Sequence, residues 1–162
     1  MPMNSTPIHL RNARHEDAEL LLNWKNDPIS RKLSINSESI PWESHLKWFE
    51  EKLGSPNYYI KVAIDKEKKP LGYIRLEKTL SAWLIHFYVS IEHRGKGFGK
   101  LILENGIREL QKDKGNSISF KALVLKANVA SAACFLACDF KKTGSIQIEE
   151  KEFLIFTKNT QK

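Results

Sequence analysis

Cysteine is nearly missing from this chain, and so is everything that would tie it to a membrane. Only Cys134 and Cys138 occur in 162 residues. Four apart in a helix-like segment, they suit neither a native disulfide nor a complete metal site, and none of the five histidines lies at metal-motif spacing to them. Both are read as small core residues, and no metal is expected. No apolar run approaches the ~20 residues needed to span a bilayer. The start, MPMNSTPIHL, lacks a basic stretch followed by an apolar one, so it does not resemble a secretory signal. The expected location is the cytoplasm, with no membrane partner. Repeats and low-complexity tracts are absent too, and residues 1–162 are read as one domain.

Acidic residues are outnumbered, which leaves a formal net charge of +7 and favours an anionic partner. The densest basic cluster, KEKK at 66–69, precedes Pro70 and Gly72 and has no aromatic stacking platform. It is a solvated turn, and a nucleic-acid partner is not expected.

What is present is a clear alternation of element types. IHLRNA alternates as a first strand, and EDAELLLNWKND spaces Ala18, Leu21, Leu22 and Trp24 as a helix that stops before Pro28. PWESHLKWFEEKL, residues 41–53, predicts a second helix with Trp42, Leu46, Phe49 and Leu53 on one face, ended by Gly54 and Pro56. YYIKVAI, LGYIRLEK and SAWLIHFYV then form an antiparallel meander. The longest helix runs from Gly97 to Asp113, with Leu101, Leu103, Ile107 and Leu110 buried and Glu104 set to pair with Arg108. SISFKALVL is a central strand, NVASAACFLACDF a small-residue helix and EFLIFTK the last strand. The order βααβββαβαβ signals an α/β (α+β) architecture, a mixed sheet of about six to seven strands with helices on both faces.

Residues 93–100, HRGKGFGK, sit between the meander's last strand and the longest helix. Gly95, Gly97 and Gly99 are spaced GxGxG, which is not the dinucleotide fingerprint, and Lys100 is followed by Leu101 rather than the Ser or Thr of a P-loop. What remains is RxxGxG from Arg94 to Gly99. Glycines let the backbone turn sharply and leave the N–H groups of the first helical turn, those of Phe98 and Gly99 included, free to cradle an anion such as a pyrophosphate. Arg94, Lys96 and Lys100 add charge around it.

On these residues VSIEHRGKGFGKLIL resembles motif A of the GNAT acetyltransferases, whose pyrophosphate loop binds acetyl-CoA. LKANVASAACFLACDF is similar to the family's fifth strand and following helix, NxxAxxxYxxxGF, with Asn128 and Ser131 in the cofactor-facing positions. LLNWKNDPISRKLSINSESIPWESHLKWFEEKL resembles the "WRNDPxxR … eeHxxWF" pattern of a subgroup that acetylates nucleotide-linked amino sugars, as in pseudaminic acid synthesis; ribosomal-protein N-terminal acetyltransferases share weaker parts of it. The resemblance implies the GNAT fold and acetyl-CoA as co-substrate, with a small-molecule amine as acceptor. Homodimerisation is left open.

By the same resemblance, the fourth and fifth strands splay apart, and Val89 and Ile91 supply backbone contacts to the pantetheine arm, an extended chain added to an open strand edge. The acceptor ammonium must lose a proton before attack. His86 and Tyr88 share the cleft face of the fourth strand; His86 is the candidate base, and Tyr88 or water the candidate acid. Phe135 stands where the family often has a proton-donating tyrosine, and Asp139 replaces its usual glycine. Trp24, Arg31, His45 and Trp48, from the N-terminal helices and their connecting loop, are expected on the acceptor side with Glu77 of the third strand: Arg31 for a phosphate, an indole for a base or sugar ring. A non-catalytic acyl-CoA-binding domain is the competing class.

Overall fold

A computed structural model of the chain describes residues 7–160. The start of the N-terminal stretch, residues 1–6, lies outside them, as do the last two residues. Strand β1 (His9–Asn12) leads through a short 3-10 turn into helices α1 (Ala18–Lys25), α2 (Pro28–Lys32) and α3 (Trp42–Lys52). Strands β2 (Tyr58–Ile64), β3 (Pro70–Lys78) and β4 (Trp83–Val89) form the meander, then come α4 (Phe98–Lys114), β5 (Ser119–Leu125), α5 (Val129–Ala137), β6 (Lys141–Ile148) and β7 (Lys151–Asn159). The seven strands make one mixed sheet in the order β1-β2-β3-β4-β5-β7-β6, antiparallel throughout except for β4 beside β5. Among the described residues no helix is long and apolar enough to cross a membrane.

The expected order βααβββαβαβ thus lacks two elements. Pro28 ends α1 but also opens α2, because proline suits the first helical position and the Asp27 side chain accepts from the Ile29 N–H at 3.1 Å. KKTGSIQI carries little apolar alternation, since β6 is an edge strand, largely exposed, held by its ladder to β7. In α4 the buried row is Ile102, Leu103, Ile107 and Leu110, with Leu101 only half-buried. Arg108 donates to Asn105, and Glu104 faces Lys100 at 4.0 Å instead.

Strand alternation sorts the side chains onto two cores. One face of the sheet carries Ile74, Leu76, Trp83 and Ile85 against α4 and α5, through Ile102, Leu103, Leu110 and Phe135. The other carries Val62, Tyr73 and Tyr88 against α1 and α3, through Leu21 and Phe49. In α3 the inward pair is His45 and Phe49, and Trp42 stays exposed. Truncating a fully buried leucine such as Leu76 or Leu103 costs about 2–5 kcal/mol, so both layers hold the sheet.

Gly72 is where β3 and β4 meet most closely. A Cβ there would lie 2.0 Å from the Tyr88 carbonyl oxygen, whereas one on Gly106 would meet the Ile74 side chain, Cδ1 at 2.5 Å and Cγ2 at 3.3 Å. Backbone cannot step aside as a methyl can. Gly72→Ala should therefore lose more than about 2 kcal/mol in urea denaturation, while Gly106→Ala stays within about 1 kcal/mol of wild type because alanine also favours the helix. Equal midpoints for the two variants would contradict this account of the β3–β4 contact.

Candidate active site

Although β4 and β5 run side by side, they share only the pairs Trp83↔Phe120 and Leu84↔Lys121. From Ile85 to Val89, β4 keeps its ladder to β3 and has none to β5, while β5 remains paired with β7 as far as Leu125. The facing edges therefore carry backbone N–H and C=O groups in want of a partner. The strands are parallel, so the gap opens toward their C-terminal ends, where α4 and α5 begin. Two helix N termini bring free N–H groups and partial positive charge to the mouth of one slot.

The loop into α4 is shaped for that position. Gly95 and Gly97 have φ of 76° and 86°, in the left-handed region, and a Cβ on either would meet nothing within 4 Å. Their requirement is conformational, and the space before the loop stays open. At Gly99 it is steric: a Cβ would come 2.8 Å from Cys134 Sγ and 3.2 Å from Phe87 Cε2, so α4 presses its first turn against α5 and β4. The result is an N terminus exposed to an anion and backed by packed apolar groups. Lys96 and Lys100 are exposed beside it, and Ile91 is exposed in the turn after β4. Phe98 is buried under the loop against His93 and can offer only its backbone. The Asn128 side chain accepts from the Ser131 N–H at 3.2 Å and so caps α5, which engages that oxygen within the chain and leaves the Ser131 side chain, half-buried, as the freer of the two.

Arg94 differs from the expectation. Its guanidinium turns back from the loop, donating from Nε to the Val89 carbonyl at 2.7 Å and from Nη2 to Asp27 Oδ2 at 3.0 Å, with its Cζ 5.1 Å from the Tyr88 ring centroid. The reason is Asp27, a buried carboxylate at the α1–α2 junction that needs a cation. Burial works to raise the Asp27 carboxyl pKa, but the bonds from Arg94 and the Ile29 N–H outweigh it and hold it below its ordinary value. The Tyr88 hydroxyl also donates to Asp27 Oδ2, at 3.3 Å. Burial first, then the Asp27 charge, pushes that phenol up to about 12. Tyr88 thus spends its proton on Asp27 and is a poor acid for the role expected of it. One lone pair of the Val89 carbonyl is likewise already used.

The acceptor-side residues divide in the same way. His45 is buried and hydrogen-bonded through Nε2 to the Ala18 carbonyl at 2.8 Å, a tie between α3 and α1 and no surface for a ligand. Arg31 donates to the carbonyls of Lys25, Asn36 and Glu38 and to Ser34 Oγ, which pins the α2–α3 connection and leaves no fork for a phosphate. Trp24 stacks on Tyr73 and Tyr88, at 6.1 and 5.3 Å between ring centroids. Trp48 packs on His45 and Phe49 and meets the edge of Tyr58, near which Glu77 sits on β3. His86 remains at the gap, half-buried on β4 directly across from Arg75 of β3. Burial, then the charges of Arg75 and Lys25, pushes its imidazole well below the usual histidine value, so it is neutral at neutral pH.

Three residues that the structure brings to this region escaped the sequence-based expectations: Asp27, Lys25 and Arg75. Asp27 was visible as the residue before Pro28, a capping position. Arg75 was visible as the polar member of LGYIRLEK, but its strand alternation says only which face it takes, not what it meets there.

A parallel strand pair that opens onto two helix N termini, with a glycine-rich loop at the mouth, leaves a strand edge and two anion-favouring helix ends open to one slot. Residues 19–140 match the sequence model of the acetyltransferase (GNAT) family, and the chain belongs to that family of acyltransferases. Its fold is shared with the spermidine N-acetyltransferase from Vibrio cholerae in complex with CoA and spermine, at a TM-score of 0.85 and 14% identity over 94% of this chain and 95% of that one. It is also shared with a phosphinothricin acetyltransferase from Sinorhizobium meliloti in complex with acetyl-CoA (TM-score 0.79, 17% identity, 94% and 88% covered). A domain from Methanocaldococcus jannaschii is a third, at 0.81 and 22% identity over 96% and 99%. Comparison with curated proteins finds no match.

The Asp27 anchor generates a pH-dependent expectation. A carboxyl whose folded pKa lies below its unfolded value of 3.8 adds stability above that pH and loses it as pH falls through the folded value. Asp27→Asn should cost about 2 kcal/mol near neutrality, and the difference from wild type should shrink at the acid end of urea melts run from about pH 2 to 7. A penalty independent of pH would mean that the Arg94–Asp27 charge pair is not its source.

Proposed function

We propose that the chain acetylates the primary amine of a nucleotide-linked amino sugar, using acetyl-CoA in a ternary complex in the cytoplasm. The observation that carries the acetyl-CoA part is the early end of the β4–β5 ladder beside two helix N termini. The residues present fit that substrate: amides of Phe98, Gly99 and the loop from Gly95 meet a diphosphate, and the free edge of β4 between Ile85 and Val89 offers backbone partners to an amide-bearing arm. Acetyl-CoA supplies the activated thioester. A backbone N–H of β4 at the gap serves as donor to the oxygen where charge develops.

The protein's own task is then to deliver a neutral amine. His86, neutral and on the cleft face, accepts the proton directly or through one water. Arg75 and Lys25 beside it make the bound ammonium a stronger acid and His86 a weaker base, so the field favours onward loss of the proton to solvent. With Tyr88 committed to Asp27 and Phe135 buried among Phe87, Phe140 and Phe156, no side chain is assigned as acid. A thiolate of ordinary pKa of about 8.5 leaves without one.

The amino-sugar acceptor is supported by the pattern of residues 21–53, which build α1, α2 and α3 over the face bearing His86. Small free amines are the second reading, since the solved neighbours include a spermidine N-acetyltransferase and a phosphinothricin acetyltransferase.

Gly97→Val puts a branched side chain at a φ of 86° and into the space before α4; titration calorimetry should show acetyl-CoA affinity at least about 100-fold weaker with the fold retained. Undiminished affinity would remove the diphosphate from this loop. In a thiol-release assay over UDP- and dTDP-linked amino sugars, polyamines and peptide N termini, His86→Gln should lower kcat by about 100-fold or more. Wild-type kcat/KM should hold on the acid side past the ordinary histidine value and fall only well below it, because the imidazole stays neutral there. A variant that keeps the wild-type profile would clear His86 of the role of base. Acetyl-CoA binding with no thiol release from any amine would make the chain a binding domain.

A further inference from the structure

Trp48 sits between two cations. Lys25 Nζ lies 3.7 Å from the indole centroid and Arg75 Cζ 5.1 Å from it, bringing α1 and β3 together over one ring of α3. His86 faces Arg75 across the strand pair, on the same side of the sheet. Among the described residues neither Lys25 nor Arg75 has a carboxylate within 4.0 Å. Glu77, the acidic residue on this face of β3, lies beside Tyr58, and Asp27 is taken by Arg94. Arg31 adds a further positive charge from the α2 side, and Tyr73, fully enclosed, stays protonated.

One buried side-chain donor in the described residues lacks any hydrogen-bond partner, Arg75 Nε, beside Trp48; the other unpartnered nitrogen, His45 Nδ1, is an acceptor, because Nε2–H donates to the Ala18 carbonyl. Buried donors are ordinarily satisfied, and converging cations are ordinarily paired. An indole face offsets a single cation by about 0.5–2 kcal/mol but cannot neutralise two. Burial first, then Arg75 and Arg31, accordingly pushes the Lys25 ammonium down to about 7. If the only task were to brace α1 and α3 on β3, a neutral chain of the same length would do it without repulsion. The missing element is an anion.

We infer that Lys25 and Arg75, set against Trp48 and next to His86, form the subsite that receives an anionic group, carboxylate or phosphate, of the acceptor. The inference rests on the acetyltransferase reading for the word acceptor, and names what that acceptor must carry. An amine bearing an acid is held with its nitrogen near His86, and the arriving anion favours the charged form of Lys25 and pairs with the Arg75 guanidinium. A polyamine, which adds positive charge beside Lys25 and Arg75, is disfavoured.

The test separates the subsite from the reaction. With the loop at α4 first saturated by CoA, inorganic phosphate is titrated into the protein by calorimetry. Wild type should bind it, Lys25→Gln and Arg75→Gln should each weaken it by about tenfold or more, and Arg75→Lys should recover part of the loss. All variants are kept only if acetyl-CoA affinity is intact, and the paired Lys variant guards against a fold defect at Arg75. No phosphate binding by the CoA-loaded wild type, or equal binding by the variants, overturns the inference. In the thiol-release assay, glucosamine 6-phosphate and UDP-linked amino sugars test the phosphate source, methionine against methioninamide the carboxylate, and spermidine the reverse charge. Acid-bearing amines should be preferred, with their KM raised about ten- to hundredfold in both Gln variants and the KM for acetyl-CoA unchanged. Equal kcat/KM for acid-bearing and acid-free amines overturns the inference and leaves the acetyltransferase reading standing. Phosphate binding lost in the variants, with no amine turned over, rejects that reading and keeps the anion site.

Discussion

The structure depends on the early end of one ladder. Two parallel strands in the middle of a seven-stranded sheet stop pairing after Leu84 and Lys121, and unpaired backbone in the centre of a protein is tolerated only where something arrives to pair with it. Everything around the gap serves to hold it open. On one side Gly72 lets β3 approach β4 so closely that only hydrogen fits. On the other, β5 is kept by β7 along its whole length. Because the strands are parallel, both helices that follow them start at the same end, and their N termini need no other device to favour a diphosphate.

A second constraint couples this gap to the N-terminal helices. Asp27 sits at the turn from α1 to α2, yet its partners are Arg94 from the loop into α4 and Tyr88 from β4. The carboxylate thereby ties the α1–α2 junction to β4 and to the loop into α4. It also removes two residues from chemistry: the arginine that motif reasoning puts on a phosphate, and the tyrosine that strand alternation puts in the cleft. A charged side chain goes where its desolvation is best offset, and a buried carboxylate 67 positions away offsets that of Arg94 better than solvent at the loop does.

Charge is distributed unevenly across the site. The Asp27 carboxylate near the gap is spent on an internal tie, whereas Lys25, Arg75 and the neutral His86 converge on one side of it, with no ion-pair partner for either cation among the described residues. Such an arrangement suits an acceptor whose amine must be neutral to react and whose remaining groups are negative. Burial first, and then this field, keeps His86 unprotonated and makes it a weaker base, and the field makes the amine a better acid.

Much of this was legible in the residues. Helical spacing in α1, α3 and α4 and alternation in β2, β3 and β4 are local signals, and the glycines of HRGKGFGK announce a backbone that must turn and expose its N–H groups, so family and carrier were within reach of the sequence. β6 was not, because an edge strand buries too little to show a period. Nor was the fate of His45, Arg31 and Arg94, or the meeting of Lys25, Trp48 and Arg75. Those residues come from α1, α3 and β3, and their contacts depend on how two helices settle on a sheet face. Local periodicity determined which elements form and which face each side chain takes. Only the tertiary packing decided which polar groups became partners, because a hydrogen bond or ion pair is won by the nearest group in space, and separation along the chain carries no record of that.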